Sequence, residues 1–256
     1  MASFLAVKNR ELEEDEDTKE KCSRYRSLVK KRAMRIPLQH LTGVQGFMGF
    51  EFSVNEHVLI PRQDTETLVE LVLKERPLRK CSLLDVCTGS GCIAVSLARM
   101  GGYEQVTALD ISGEALKVAG RNAEALLGDY KGCFQLLESD MFANLPPGQK
   151  FDIITSNPPY IRSKVIDGLE PEVRDHEPRL ALDGAEDGLK FYRILAERCK
   201  DYLNPGGCAY MEIGYDQKNE VEGLFKTQGY EEIRTFQDMT GLDRVVRARW
   251  DGEKRE

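Results

Sequence analysis

Asp85-Val86-Cys87-Thr88-Gly89-Ser90-Gly91-Cys92-Ile93-Ala94 joins two kinds of periodicity. Before it, residues 82–86 make a short apolar run, read as a strand buried on both faces. After it, apolar residues recur at helical spacing to about residue 100. The small residues between let the backbone turn sharply and a ligand approach closely, and the helix that follows offers free N–H donors. The plain alternative is a strand–helix turn that needs glycine only for packing. Two acids favour a ligand. Asp85 stands just before the loop. Asp110 ends the next strand-like run, where a carboxylate can accept both hydroxyls of a ribose. The alternative for either acid is a helix cap.

Working outward, the strand–turn–helix rhythm repeats. Further strands are expected at 106–111, 134–138, 151–156 and 208–213, with two closing strands at 231–237 and 244–250. Helices are expected at 112–127, at 188–202 with Asn204-Pro205-Gly206-Gly207 as its stop, and at 217–228. This alternation implies an α/β fold, a parallel sheet with right-handed crossovers and helices on both sides. Upstream, Cys22, Tyr25, Leu28 and Val29 predict one helix over 17–34, after a solvated start at 8–17 and before Pro37. Phe50, Phe52 and Val54 alternate with polar residues, a half-buried strand whose expected hairpin partner is 58–61. Asp64 or Thr65 is expected to cap a helix running to about Lys74.

The 256 residues carry a net charge of −7, with 31% charged and 41% hydrophobic. That balance excludes global disorder. No window approaches 18 consecutive apolar residues, so no membrane span is expected. No basic block follows residue 35, which disfavours direct nucleic-acid binding. Seven cysteines, an odd number without a Cys-x-x-Cys pair, read as small buried hydrophobes in a reducing compartment. Three scattered histidines suggest no metal site. The start is too short in apolar residues for a signal peptide and too acidic for a transit peptide, so the expected location is cytoplasmic.

Asn157-Pro158-Pro159-Tyr160 follows the run at 151–156. Two prolines stiffen the chain and remove two N–H donors, leaving carbonyl acceptors without competing donors. Asn157 adds a side-chain oxygen and Tyr160 an aromatic wall. Such a site suits a planar N–H₂ group, whose nitrogen is a poor nucleophile because its lone pair is delocalised. Acceptors that orient its hydrogens favour a pyramidal transition state and stabilise the growing positive charge. The alternative is a strand end closed by a Pro-Pro turn.

The loop Thr88-Gly89-Ser90-Gly91 after an acid resembles that of S-adenosylmethionine-dependent methyltransferases. A pyrophosphate-binding loop would carry a third glycine where Ala94 stands. In such methyltransferases the stretch matching Ser139-Asp140-Met141-Phe142 borders the adenine. By that resemblance Asp140 bonds the amino group and Met141 or Phe142 packs on the ring, plain core being the alternative for both. The Asn157–Tyr160 motif resembles the (Asp/Asn/Ser)-Pro-Pro-(Tyr/Phe) site of enzymes that methylate planar nitrogens. Pro37-Leu38-Gln39-His40-Leu41-Thr42-Gly43, Phe47-Met48-Gly49, Val58-Leu59-Ile60-Pro61-Arg62-Gln63-Asp64-Thr65-Glu66 and Glu177-Pro178-Arg179-Leu180-Ala181-Leu182-Asp183-Gly184 closely resemble the release-factor glutamine methyltransferases, in order, over roughly residues 30–250.

That resemblance implies methyl transfer from S-adenosyl-L-methionine, giving S-adenosyl-L-homocysteine. The acceptor would be the side-chain amide nitrogen of the glutamine in the Gly-Gly-Gln loop of class I peptide-chain release factors. It implies a Rossmann-like seven-stranded methyltransferase sheet with an antiparallel last strand over 64–256. A β-hairpin linker would span 41–63 and a short, truncated helical region 1–40. Cys87, Thr88, Gly89, Ser90 and Gly91 would hold the methionine end and Asp110 the ribose, with Asp140, Met141 and Phe142 at the adenine. Asn157, Pro158 and Tyr160 are the implied catalytic residues. Together with Pro159 they form the implied amide site, and Asn157 also touches cofactor.

Four departures stand out, the first being a helical region at 1–40 with room for one or two helices where the family carries several. Cys87 replaces a family glycine, costing about 1 kcal/mol or more if φ is positive there. Gln63 stands where the family has proline. Met141 stands where an aromatic residue is common. Two other readings stay open: amino methylation of nucleic acid at the same site, and a cofactor-binding homologue without activity.

Overall fold

A computed structural model describes residues 16–76 and 80–252. Residues 1–15, which hold most of the expected charged start, lie outside the described residues. Helix α1 (Glu16–Ala33) ends in Lys30, Lys31 and Arg32, cations that suit a helix C-terminus. Arg32 pairs with Glu172, and Arg35 with Glu170 and Glu172. Pro37 opens α2 (Leu38–Thr42), and Gly43 closes it at φ 80°.

The hairpin differs from expectation. Strand β2 (Phe50–Ser53) pairs not with 58–61 but with β1 (Val44–Phe47), antiparallel. Met48 and Gly49 turn between them with φ of 51° and 78°. Positive φ at both positions is what a tight two-residue hairpin needs. A methionine at such a position hides the turn, because Asn-Gly is the usual signal. Val58 and Ile60 are instead buried residues of an irregular segment. Neither Asp64 nor Thr65 caps the next helix: a 3₁₀ turn (Gln63–Thr65) leads into α3 (Glu66–Glu75) without a side-chain cap. The Glu66 carboxylate accepts from the Met48 N–H at 2.6 Å, tying the hairpin turn to α3.

The remaining elements are β3 (Ser82–Val86), α4 (Cys92–Gly101), β4 (Gln105–Asp110), α5 (Gly113–Leu127), β5 (Phe134–Glu138) and β6 (Phe151–Ser156). Three four-residue helices follow, α6 (Ser163–Ile166), α7 (Pro171–Arg174) and α8 (Arg179–Leu182). Then come α9 (Lys190–Tyr202), β7 (Leu203–Glu212), α10 (Lys218–Thr227), β8 (Glu231–Gln237) and β9 (Asp243–Trp250). Among the described residues these strands form a seven-stranded sheet in the order β5-β4-β3-β6-β7-β9-β8. The last strand, β9, is antiparallel and inserts between β7 and β8. The Asn204–Gly207 stretch begins β7 rather than forming a stop. The β6–β7 register jumps from Phe151↔Leu203 to Ile153↔Cys208, and that irregularity absorbs the extra residues.

Both faces of the sheet are covered, as the continuous apolar strands required. Leu83 packs with Leu68, Val95 and Leu97 on one face. Leu84 and Val86 pack with Tyr192, Leu195 and Phe225 on the other. Each fully buried Leu contributes about 1.5–3 kcal/mol. Cys81, Cys92, Cys199 and Cys208 are buried in this core. Cys133 is exposed, and Cys22 and Cys87 are half-buried, so the buried reading holds for four of the seven. Strand β3 pairs with β4 on one side and with β6 on the other. The chain therefore changes direction across the sheet there, the place where open α/β sheets bind ligands beyond their strand ends.

Candidate active site

A cavity with about 1180 Å³ of space, part of it continuous with solvent, opens at that end. Its first wall is the loop after β3. Asp85 is fully buried and accepts from the Thr88 hydroxyl at 2.6 Å and the Thr155 hydroxyl at 2.7 Å. Burial raises its pKa to about 7, against the pull of those two hydroxyls. Asp85 thus braces the loop from behind, and the Ala94 N–H in the first turn of α4 also holds its carboxylate. Cys87 sits at φ 60°, the left-handed backbone that its family position implied. Its Sγ lies 3.8 Å from the sulfur of Met141, which has φ 48°. Gly91 lies at φ 78°, and a Cβ there would meet the Ala119 Cβ at 3.1 Å.

Asp110 accepts from the Gly89 N–H through one carboxylate oxygen at 2.8 Å and from the Ser112 N–H through the other at 2.9 Å. Burial raises its pKa, and the N–H groups of Ser112, Gly89 and Ile111 pull it back. Ser112, not Asp110, caps α5, its hydroxyl accepting from the Ala115 N–H. Asn122, on α5, was invisible to sequence reasoning. Its Nδ2 donates to the carbonyls of Ser90 at 2.8 Å and Ser53 at 3.0 Å, and its Oδ1 accepts from the Ser53 N–H at 2.7 Å.

The opposite wall is assembled from distant segments. Asn157 and Pro159 line the cavity, as do Thr65, Arg62, Leu180 and Phe191. Arg62 bonds the almost fully covered Glu177 carboxylate at 2.5 Å, joining the segment after the hairpin to the loop ahead of α8. The 177–184 block thereby acquires a role. Ile161 and Asp183 form an isolated bridge, and the Ile161 N–H donates to Leu182. A Cβ on Gly184 would meet Tyr160 Cα at 2.8 Å and Pro159 O at 2.9 Å, so only glycine lets these two backbones touch.

Cys87, Thr88, Gly89, Ser90, Asp110, Asp140, Met141, Asn157 and Pro159 all line this cavity. Gly91, Phe142, Pro158 and Tyr160 are not on its surface. Phe142 belongs to the core, stacked on Tyr202 with ring centroids 5.2 Å apart and planes 10° apart. Tyr160 is held from behind: its hydroxyl donates to Glu212 Oε1 at 3.3 Å. Glu212 ends β7, is 2% exposed, and was missed in the sequence. A lone acid inside the apolar run 208–213 was the available signal. Burial raises its pKa to about 7, offset by the Thr65 hydroxyl, the Arg244 charge and the Tyr160 hydroxyl. Asn157 Nδ2 donates to the Thr65 hydroxyl oxygen at 3.3 Å. Among the described residues nothing donates to Asn157 Oδ1. No helix there is long and apolar enough to cross a membrane.

Residues 63–169 match the methyltransferase small domain family. The chain is 44% identical over 230 residues to the release factor glutamine methyltransferase of Geobacter sulfurreducens, covering 90% of this chain and 79% of that one. It is 45% identical over 219 residues to the protein of the same name from Caulobacter vibrioides, covering 85% and 75%. Among solved structures, a methyltransferase from Pyrococcus furiosus superposes with a TM-score of 0.58 at 20% identity, covering 81% of this chain and 92% of that one, a likeness of fold.

Proposed function

This chain belongs to the release factor glutamine methyltransferase family, and we propose that it transfers a methyl group from S-adenosyl-L-methionine to the N5 amide nitrogen of the glutamine in the Gly-Gly-Gln loop of peptide-chain release factors. The observation that carries the reading is Asn157. Its amide nitrogen is engaged by Thr65 while its oxygen has no donor among the described residues, at a wall shared with the Cys87–Ser90 loop. An open acceptor beside a proline pair fits an incoming N–H₂ group.

The residues present also fit the cofactor. Asp110 is oriented by two main-chain donors and keeps acceptor capacity for ribose hydroxyls. Asp140 and Met141 offer a polar and an apolar contact to an adenine. Neighbouring glycines allow close backbone approach to the methionine end. When bound, S-adenosyl-L-methionine supplies a methyl group on an already positive sulfur, which becomes the neutral thioether of S-adenosyl-L-homocysteine. The protein's part is positional. Asn157 Oδ1 and a proline carbonyl accept the two amide hydrogens and turn the nitrogen lone pair toward the methyl carbon. A C–N bond forms as the S–C bond breaks. The same acceptors stabilise the positive charge gained by nitrogen, and one N–H proton leaves to water. Release factors work in translation, so the reading places the reaction in the cytoplasm.

The test is a transfer assay with methyl-labelled S-adenosyl-L-methionine. Purified release factor, the same factor with the loop glutamine changed to alanine, and plain DNA and RNA are run in parallel. Label on the intact factor alone is expected. Label on nucleic acid would transfer the assignment to base amino groups. Cofactor binding without label anywhere would mark an inactive homologue.

A further inference from the structure

Strands β7 and β9 run side by side to the end of the sheet that carries the cavity. Beyond their last paired residues, Glu212 and Val245, the Ile213 N–H still donates to the Arg244 carbonyl at 2.8 Å. Tyr215 lies two residues past this bond and Leu242 two residues before it. Tyr215 is 65% exposed, Leu242 is 45% exposed, and Met239, in the turn between β8 and β9, is 100% exposed. Large apolar side chains gathered in water at one corner mark an interaction site.

The turn that carries Met239 and Leu242 is braced. Asp238 is buried, and its Oδ1 accepts from the Thr240 N–H at 2.9 Å, the Thr240 hydroxyl at 2.6 Å and the Leu242 N–H at 3.2 Å. Its Oδ2 accepts from the Arg244 guanidinium at 3.1 Å. Gly241, at φ 83°, lets the chain reverse, and the Asp238 N–H donates to the Leu242 carbonyl at 2.9 Å. None of these bonds uses the side chain of Met239 or Leu242, so the turn holds its shape without them. A turn already fixed loses little conformational freedom when a partner covers it.

The charges around the corner are already neutralised. Arg162 pairs with Asp216 at 2.8 Å, and Lys218 with Asp243 at 3.9 Å. An apolar centre inside a polar rim is the anatomy of a protein–protein interface. The corner also adjoins the site. Gln217 Nε2 donates to the Tyr160 carbonyl at 3.1 Å, and Arg162 follows Tyr160 by two residues. Arg244 meets Asp64 at 3.4 Å, next to Thr65 on the cavity wall. A macromolecule that put one loop into the cavity would bring its neighbouring surface over this corner, whereas a small acceptor would leave it bare.

We propose that Tyr215, Met239 and Leu242 form a docking surface for the body of the release factor, beside the cavity that takes its glutamine loop. The inference rests on the glutamine-amide reading above and adds to it a contact remote from the transferred methyl. The partner chemistry it requires is an apolar patch beside the loop. The cavity then acts on the glutamine, and the corner holds the protein that carries it.

The test uses the full chain and reads binding and turnover separately. Release factor is titrated by calorimetry into the protein saturated with S-adenosyl-L-homocysteine. Tyr215→Ser, Met239→Ser and Leu242→Ser combined should weaken its binding by about tenfold or more. Tyr215→Phe, Met239→Leu and Leu242→Met combined keep the corner apolar and should bind within about threefold of wild type. The Kd of S-adenosyl-L-homocysteine should stay within about twofold in both, which also shows that both are folded. In the transfer assay the serine variant should raise KM for the factor in the same proportion with kcat unchanged, a split that damage to the Asn157–Tyr160 motif would not give. Release factor bound as tightly by the serine variant, or a fall in kcat without a rise in KM, overturns the proposal and leaves the glutamine reading standing. A wild-type dimer in sedimentation that the serine variant abolishes also overturns it, because a second copy would then cover the corner. A wild-type protein that neither binds nor methylates a release factor ends the glutamine reading and this surface with it.

Discussion

On one side of the cavity, Thr88, Gly89 and Asp110 are held by main-chain hydrogen bonds at the ends of two neighbouring parallel strands. The Thr88 N–H donates to Leu109 and the Gly89 N–H to Asp110. On the other side, Asn157 meets Thr65 across 92 residues of sequence, and Arg62 meets Glu177 across 115. The first side is held largely by main-chain N–H groups within residues 88–112, with Asp85 and Asn122 bracing it through side chains. The second is side-chain contact between segments that share no strand. A constant ligand can be held by a constant backbone, whereas a site for a protein loop needs groups that only tertiary structure brings together.

Four measurements would break or sharpen that contrast. Asn157→Ala should cut turnover by 100-fold or more, on the order of 2.7 kcal/mol, with unchanged circular dichroism. Turnover near wild type would remove the second side's central residue. Asp110→Ala should act on the first side alone. We expect cofactor Kd to rise by ten- to a hundredfold, about 1.5–3 kcal/mol, with a smaller fall in saturated kcat. An unchanged Kd by calorimetry would show that the ribose is held elsewhere.

Each side also carries one buried acid, Asp85 or Glu212, with its pKa raised to about 7. A carboxyl raised in the folded state binds its proton more tightly there than when unfolded. Its contribution is full below about pH 4 and is lost as pH rises through about 7. Asp187 and Asp238 shift the other way, to about 2, so their contributions change only in more acidic solution. Urea titrations at pH 5 and pH 8 should therefore show the wild type more stable at pH 5. Asp85→Asn should shrink the difference by on the order of 1–2 kcal/mol. An unchanged difference would assign Asp85 an ordinary pKa.

The smallest effect concerns strain. Cys87→Gly relieves a left-handed backbone and should add about 1 kcal/mol of stability, less what the Met141 contact contributes. Loss of stability in this variant would mean that the thiol's packing outweighs the backbone cost.

The same contrast explains what was legible in the sequence. The loop, Asp110 and the sheet could be read because their determinants are local. Periodicity set strand and helix, and small residues marked the turn. The hairpin register was misread because Met48 adopts a conformation that usually announces itself as glycine or asparagine. The cap expected at Asp64 or Thr65 failed because the chain is already wound as a 3₁₀ turn there, with Thr65 at φ −66° and ψ −23° rather than in the extended conformation of a cap. Phe142 could be placed either at the ring or in the core from sequence, and its stacking on Tyr202, sixty residues on, is a contact no local pattern announces. Glu212 and Asn122 carry no local signal of what they touch.

Asn122 has a consequence for the order of assembly. One carboxamide closes the hairpin at Ser53 and the loop at Ser90, contacts spanning 69 and 32 residues of chain. Neither can form until α5 has wound and docked on the sheet. Contacts of long sequence separation form late because chain closure precedes any gain from them. The hairpin should therefore lock its edge, and the loop its final shape, in one late event. The slow exchange of the Ser53 amide with solvent deuterium would date it.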